Sequence, residues 1–196
     1  MNRLAATALS LARSTAGGPG GGPGGGPIGD PGRQDRGERF GPRGGIPGVL
    51  VLFAFVAGTL GIGAAMGQLT QAAIDTWYRS LHAPPGTPPD WVFPVVWTPL
   101  YAMMAIAAWR VWLRRGFAGL GWWFAQLALN AAWTPAFFTM RSPALGLFVI
   151  VPFWLAILAT IRDFRRTDRV AAALLVPYLA WVTYAAWLNV GFAWLN

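Results

Sequence analysis

Few side chains in this sequence can do chemistry, and most that can are aromatic. Twelve tryptophans and four tyrosines stand beside one histidine, seven acidic residues and no cysteine. Without cysteine there is no disulfide, zinc–thiolate site, cysteine nucleophile or thiolate haem ligand. The acids avoid the apolar runs: Asp30, Asp35 and Glu38 lie near the N-terminus, Asp75 and Asp90 in one connection, Asp163 and Asp168 in another. They compose no catalytic triad, phosphate-binding loop or metal cluster. A proton-coupled pump would need a carboxylate within the membrane. The residues therefore point to binding rather than catalysis, with no cofactor required.

Four residues carry spacing worth reading. Trp97 and Tyr101 are four apart, as are Trp181 and Ala185, so each pair shares one helix face. A large ring one turn from an alanine makes a wall and a vacancy. Indole and phenol rings give broad contact and a polar handle. Two readings stand: the wall of a ligand site, or the aromatic belts and lipid-facing packing that use most tryptophans in membrane proteins. Trp109, Trp112, Trp122, Trp123 and Trp194, near segment ends, read as belts. Asn130 lies in the middle of an apolar run, where a polar group turns to an interhelical hydrogen bond with a backbone carbonyl or to a ligand. Asn189, nearer a segment end, reads as structural.

The elements that must position these residues are long and apolar. The chain has 196 residues, 55% hydrophobic and only 11% charged, against about a quarter charged in soluble domains. Residues 1–45 differ from the rest: Gly, Pro and Arg dominate, and "GGPGGGPGGGPIGDPG" reads as a disordered tether. Met1–Ser14 reads as a plain leader or as a targeting peptide. The domain then runs from 46 to 196. Five apolar segments, Ile46–Met66, Trp91–Leu113, Phe117–Met140, Pro143–Ile161 and Val170–Phe192, each approach the roughly 20 residues that cross hydrocarbon. Runs of this kind in lipid are helices. The expected fold class is all-α, an integral membrane bundle of five transmembrane helices.

Arginine sets the orientation. Arg33, Arg36, Arg39, Arg43, Arg110, Arg114, Arg115, Arg162, Arg165, Arg166 and Arg169 fall on one side of a five-span topology, and only Arg79 and Arg141 on the other. The bias places the N-terminus and loops two and four in the cytoplasm, in a bacterial membrane or, on the alternative reading of the leader, an organelle membrane. Loop one, Gly67 to Asp90, is the long one, rich in Pro and Trp, and within it "QAAIDTWYRSL" suggests a short interfacial helix. Ala57, Gly61 and Ala65 make a small-residue ridge on helix one, suited to packing inside the bundle; Gly121 and Ala125 make another on helix three.

Three stretches carry a resemblance. "WYRSLHAPPGTPPDWVFPVVWTPLY" (77–101), "LALNAAWTPAFF" (127–138) and "VPYLAWVTYAAWLN" (176–189) resemble, in order, the motifs of the TspO/MBR family, the tryptophan-rich sensory and translocator proteins. The resemblance covers about Val49 to Asn196. It implies a five-helix bundle, commonly a homodimer, that binds porphyrins and other tetrapyrroles, haem included, in a pocket between helices under loop one. The implied ligand-binding residues are Trp91, Trp97, Tyr101, Asn130, Trp133, Trp181, Tyr184 and Ala185, with His82 of loop one either a solvated residue or an axial contact to a haem iron. It further implies Gly121 and Ala125 at the dimer interface. Two positions depart: Pro94 stands where the family has glycine, and Ala83 where it has lysine. The implied function is a membrane receptor or carrier acting in tetrapyrrole homeostasis, transport or stress sensing. The other functions to weigh are light- and oxygen-dependent porphyrin degradation using Trp97 and Trp181, and sterol or lipid transport. The lack of a basic residue after Tyr184 argues against sterol.

Overall fold

The computed structural model describes residues 45–196, so the expectations for the leader, the glycine tether and the first arginine cluster lie outside the described residues. Six helices follow: α1 Ile46–Ile74, α2 Val92–Arg115, α3 Gly121–Thr134, α4 Pro143–Thr167, α5 Arg169–Leu174 and α6 Val176–Leu195. α1, α2, α4 and the α5–α6 pair (Arg169–Leu195) are each long and apolar enough to cross a membrane. α3 continues without a gap into a π-helical turn, Pro135–Thr139, and completes the fifth span. The chain is thus an all-α membrane bundle of five spans, and among the described residues there is no strand.

Proline explains where the helices start and break. Pro47, Pro143 and Pro177 occupy the first turn of α1, α4 and α6, where a missing N–H costs nothing. Pro177 also cannot bond to the carbonyl of Ala173, and the chain steps at Leu175 between α5 and α6. Pro135 acts differently. It follows the regular part of α3, and the chain beyond it widens to five-residue hydrogen bonds: Met140 N–H to Pro135 O (2.8 Å) and Ser142 N–H to Phe137 O (3.2 Å). The widened turn lets the neighbours Phe137 and Phe138 both point inward, 2% and 3% exposed.

The helices close into a ring. α1 packs on α2, α2 on α5, α6 on α4, α4 on α3, and the π-turn of α3 returns to α1. One apolar cluster fills the middle, with Met104, Ala105, Ala108, Val111, Leu120, Ile157, Phe164, Tyr178 and Val182 fully enclosed. A second gathers Ala73, Ile74, Tyr78, Phe137, Phe138, Leu188 and Phe192 at the loop-one end. Outward, Ile46, Phe53, Phe148 and Trp194 are 72–87% exposed, as lipid solvation allows.

The ends of α2 and α4 meet at a charged junction. The Asp168 side chain, 3% exposed, accepts hydrogen bonds from Arg110 Nε (2.9 Å) and from Arg114, and caps α5 through the N–H groups of Val170 and Ala171. Burial alone would raise its pKa, yet the Arg110 guanidinium and those two N–H groups hold it below the ordinary carboxylate value. Arg115 pairs with Asp163 at 3.0 Å.

Several expectations need correction. α1 does not stop at Met66: Gly67–Ile74 holds no proline, and Ala73 and Ile74 bury in the second cluster, so the helix runs to Ile74. "QAAIDTWYRSL" is therefore no separate helix. It ends α1, and only Tyr78–Ser80 make a further 3-10 turn. The ridge Ala57, Gly61 and Ala65 faces outward, with open space beside Gly61. The close approach of α1 belongs to Gly63, where an added Cβ would lie 2.5 Å from the Tyr101 ring. Trp123 is no belt residue: it is 2% exposed, and its N–H reaches Met104 O at 3.2 Å.

Candidate functional site

The site begins where α1 and α2 part. The two helices run antiparallel and touch from Gly48, whose carbonyl takes the Trp109 N–H (2.8 Å), to Thr59, whose hydroxyl reaches Tyr101 O (3.3 Å). Beyond the Gly63–Tyr101 contact, α1 leans on the π-turn of α3 through Ala73 and Ile74 instead. A wedge opens between α1 and α2, and it holds a cavity of about 510 Å³. Leu60, Gly63, Gly67, Thr70 and Ile74 of α1 form one wall; Phe93, Trp97 and Tyr101 of α2 form the second; Asn130, Trp133, Thr134 and Phe138 of α3 close the back. Ala64, Gly67, Gln68, Pro94 and Thr98 make an exposed rim on the flank between α1 and α2.

The rings are held in fixed attitudes. Trp97 stacks on Tyr101 with centroids 5.5 Å apart, and Trp133 stacks on Phe137 at 5.7 Å. The Trp133 N–H bonds to Asn189 Oδ1 (3.1 Å), whose amide holds Pro143 O (2.7 Å), so Asn189 fastens α3, α4 and α6 together. The floor of the cavity is a polar relay. Tyr101 donates to Asn130 Oδ1 (2.7 Å), Asn130 Nδ2 to the Tyr178 hydroxyl (3.2 Å), and that hydroxyl to Gln126 Oε1 (2.9 Å). Asn130 thus answers to two tyrosines on α2 and α6, not to a backbone carbonyl. The two members that reach the cavity, Tyr101 and Asn130, are already paired, which favours an apolar body there; behind them the buried Gln126 Nε2 has no partner among the described residues.

Loop one is strapped to α6. Asn196 accepts from the His82 N–H (2.9 Å) and donates to the His82 carbonyl (3.2 Å); Tyr184 donates to Gly86 O at 2.5 Å. An added Cβ at Gly191 would sit 2.6 Å from Pro84, so only glycine admits the loop there. At the other edge of the loop Arg79 pairs with Asp90 at 2.9 Å. Burial first, and then the Asp90 charge, lift the Tyr78 phenol well above its ordinary pKa.

Of the residues expected at the site, Trp97, Tyr101, Asn130 and Trp133 line this cavity together. Trp181, Tyr184 and Ala185 lie outside its lining; Trp181 is tilted against Tyr184 (5.4 Å) and meets Phe93 edge-on at 6.5 Å, and its buried N–H has no acceptor. Trp91 is 66% exposed, and His82 is exposed with its backbone bound to Asn196; neither is in the lining. Gly121 and Ala125 belong to an outward face of α3, with open space where a Gly121 Cβ would project. Sequence reasoning missed the whole α1 wall, together with Tyr178 and Gln126. The Gly61–Gly63 pair and the tyrosine of "VPYLAW" were the available signals.

The comparisons with known proteins agree with this architecture. The pattern of the TspO/MBR family matches residues 53–195. The tryptophan-rich sensory protein of Cereibacter sphaeroides is 42% identical over 139 residues, covering 70% of this chain and 87% of that protein. The tryptophan-rich protein TspO of Chlorobaculum tepidum is 38% identical over 159 residues, 76% of this chain and 97% of that protein. The translocator protein of Homo sapiens is 37% identical over 119 residues, 58% of this chain and 70% of that protein. With four helices long and apolar enough to cross a membrane, a fifth formed by α3 and its π-turn, and a match along most of its length, the chain belongs to the TspO/MBR family.

Proposed function

We propose that this protein is a membrane receptor or carrier for tetrapyrroles, acting in their homeostasis, transport or sensing. One observation carries the reading: a ring-walled wedge of about 510 Å³, within the roughly 300–1,000 Å³ of small-molecule sites. Its faces are large, rigid and apolar, and the Tyr101 and Asn130 polar groups in its lining are already hydrogen-bonded. Such a slot suits a flat, conjugated ligand whose polar substituents remain at the rim. No iron ligand is assigned to His82, which lies outside the lining.

Two further features belong to the reading. The open face of α3 at Gly121 and Ala125 suits a homodimer contact. Loops two and four share one end through the Arg110–Asp168 and Arg115–Asp163 pairs, and their arginine excess suits the cytoplasmic face.

Titration of the full chain in detergent with protoporphyrin IX and haem, followed by tryptophan quenching, tests the ligand. Saturable binding weakened about tenfold or more by Trp97→Ala, the loss expected for a buried anchoring ring, is the expected result. Quenching that does not saturate, or that Trp97→Ala leaves unchanged, removes the reading.

A further inference from the structure

The lining of the wedge holds one acidic or basic side chain among the described residues, and it is an acid. Asp90 stands at the rim, just before α2, where the N–H of Phe93 bonds its carbonyl (3.3 Å). Its carboxylate is held by Arg79 Nη2 at 2.9 Å; the two side chains are 35% and 65% exposed. The acids outnumber the base here: Asp75, held by Gln71 (3.1 Å), adds its field to Asp90 at Arg79. The mouth of the wedge therefore offers one cation, and the protein's own carboxylate already occupies it.

A ligand that carries a carboxylate to this rim meets two opposed effects. Asp90 repels it, and Arg79 attracts it. Guanidinium binds carboxylates in a planar fork; Asp90 holds Nη2 alone, so an incoming acid whose fork includes Nη2 competes with Asp90 for that group. A ligand whose acids are esterified meets neither effect. Arg79 is largely in solvent, so the exchange requires no new burial of charge.

We propose that the Arg79–Asp90 pair is a carboxylate-exchange gate: Asp90 serves as an internal competitor for Arg79, and the pair sets how strongly the wedge prefers free-acid over neutral ligands. The inference rests on the tetrapyrrole reading and assigns to Arg79 the recognition of the ligand's acid group. The pair thereby becomes a determinant of specificity rather than a surface ornament of loop one.

The test compares protoporphyrin IX with its dimethyl ester on the full chain by tryptophan quenching. Arg79→Gln should weaken the diacid about fivefold, the scale open to an exposed ion pair, and leave the diester within about twofold. Asp90→Asn should tighten the diacid about threefold on the same scale and leave the diester unmoved. A double variant, Arg79→Asp with Asp90→Arg, keeps the pair and places the cation on the cavity wall, so it should bind the diacid at least as well as the unaltered chain. Equal shifts for diacid and diester, or no shift in either single variant, overturn the gate while leaving the tetrapyrrole reading in place. An unaltered chain that binds neither form overturns both. Gel filtration of each variant shows that a lost signal is not lost fold, and the conservative Asp90→Asn decides should the arginine variants aggregate.

Discussion

The two ends of the bundle solve opposite problems. At the arginine end, α2, α4 and α5 come together over Asp168, and Ala107, Ala108, Val111, Leu120 and Phe164 are fully shielded. At the loop-one end, α1 abandons α2 for the π-turn of α3, and the wedge opens. Small residues and salt bridges close the first end; bulky rings set at fixed angles prop the second. The difference teaches that the rigidity of the cavity walls is borrowed from neighbours outside the cavity. Trp133 is held by Asn189, Tyr101 through Asn130 by Tyr178 behind the lining, and loop one by Asn196. A membrane core gains little from apolar contact alone, so an open space within it needs such polar fasteners.

The contrast can be broken most forcefully at Asp168. Asp168→Ala strips the partner from Arg110 and Arg114 and uncaps α5. Loss of one member of a buried pair costs about 3–5 kcal/mol; because the two arginines keep partial access to water, the low end, about 3 kcal/mol, is expected. Thermal unfolding in detergent measures it. The loss should spare ligand affinity in whatever fraction remains folded. The acid limb gives the sign. Asp168 has a depressed pKa in the folded chain, so its contribution is present above the ordinary carboxylate range and is lost as pH falls through the lower folded value. That acid-side decline should be shallower in the variant.

A substitution at the boundary between the two ends sharpens the comparison. Gly63 both lines the wedge and touches Tyr101. Gly63→Leu drives a side chain into that ring and occupies the wedge. Overpacking of this kind costs about 1–3 kcal/mol. The same change should abolish saturable ligand quenching, a pairing of effects not expected at Asp168.

The smallest effect belongs to the strap. Asn196→Ala removes two hydrogen bonds to His82 in an exposed setting, about 1 kcal/mol or less in global stability. Hydrogen exchange should nevertheless quicken at the His82 amide while the amides of α4 stay protected. Unchanged exchange at His82 would mean that Pro84 against Gly191 suffices to hold the loop.

Much of the bundle was legible because lipid enforces it. Twenty apolar residues in a row leave the backbone no option but a helix, and the arginine-rich loops two and four meet at one end. Hydropathy could not place the end of α1, because Gly67–Ile74 mixes polar and small residues and its burial depends on rings 60 residues away. The π-turn was also hidden: Pro135 announces a disturbance, not whether the helix kinks, stops or widens. Of the site, the motif residues on α2 and α3 meet in one cavity, since four-residue spacing fixes a helix face. The α6 residues do not, because the step at Leu175 and the position of α1 decide which face of α6 looks inward, and neither follows from spacing.

The rim between α1 and α2 has a practical consequence. Its exposed members, Ala64, Gly67, Pro94 and Thr98, sit on the outer flank of two spans, so a greasy occupant can dissolve in the surrounding acyl chains or micelle before it docks. On the proposed tetrapyrrole reading, docking is then a two-dimensional search from a reservoir set by partitioning. Dissociation constants referred to bulk water will drift with the lipid-to-protein ratio, whereas those referred to mole fraction in the amphiphile will agree between preparations.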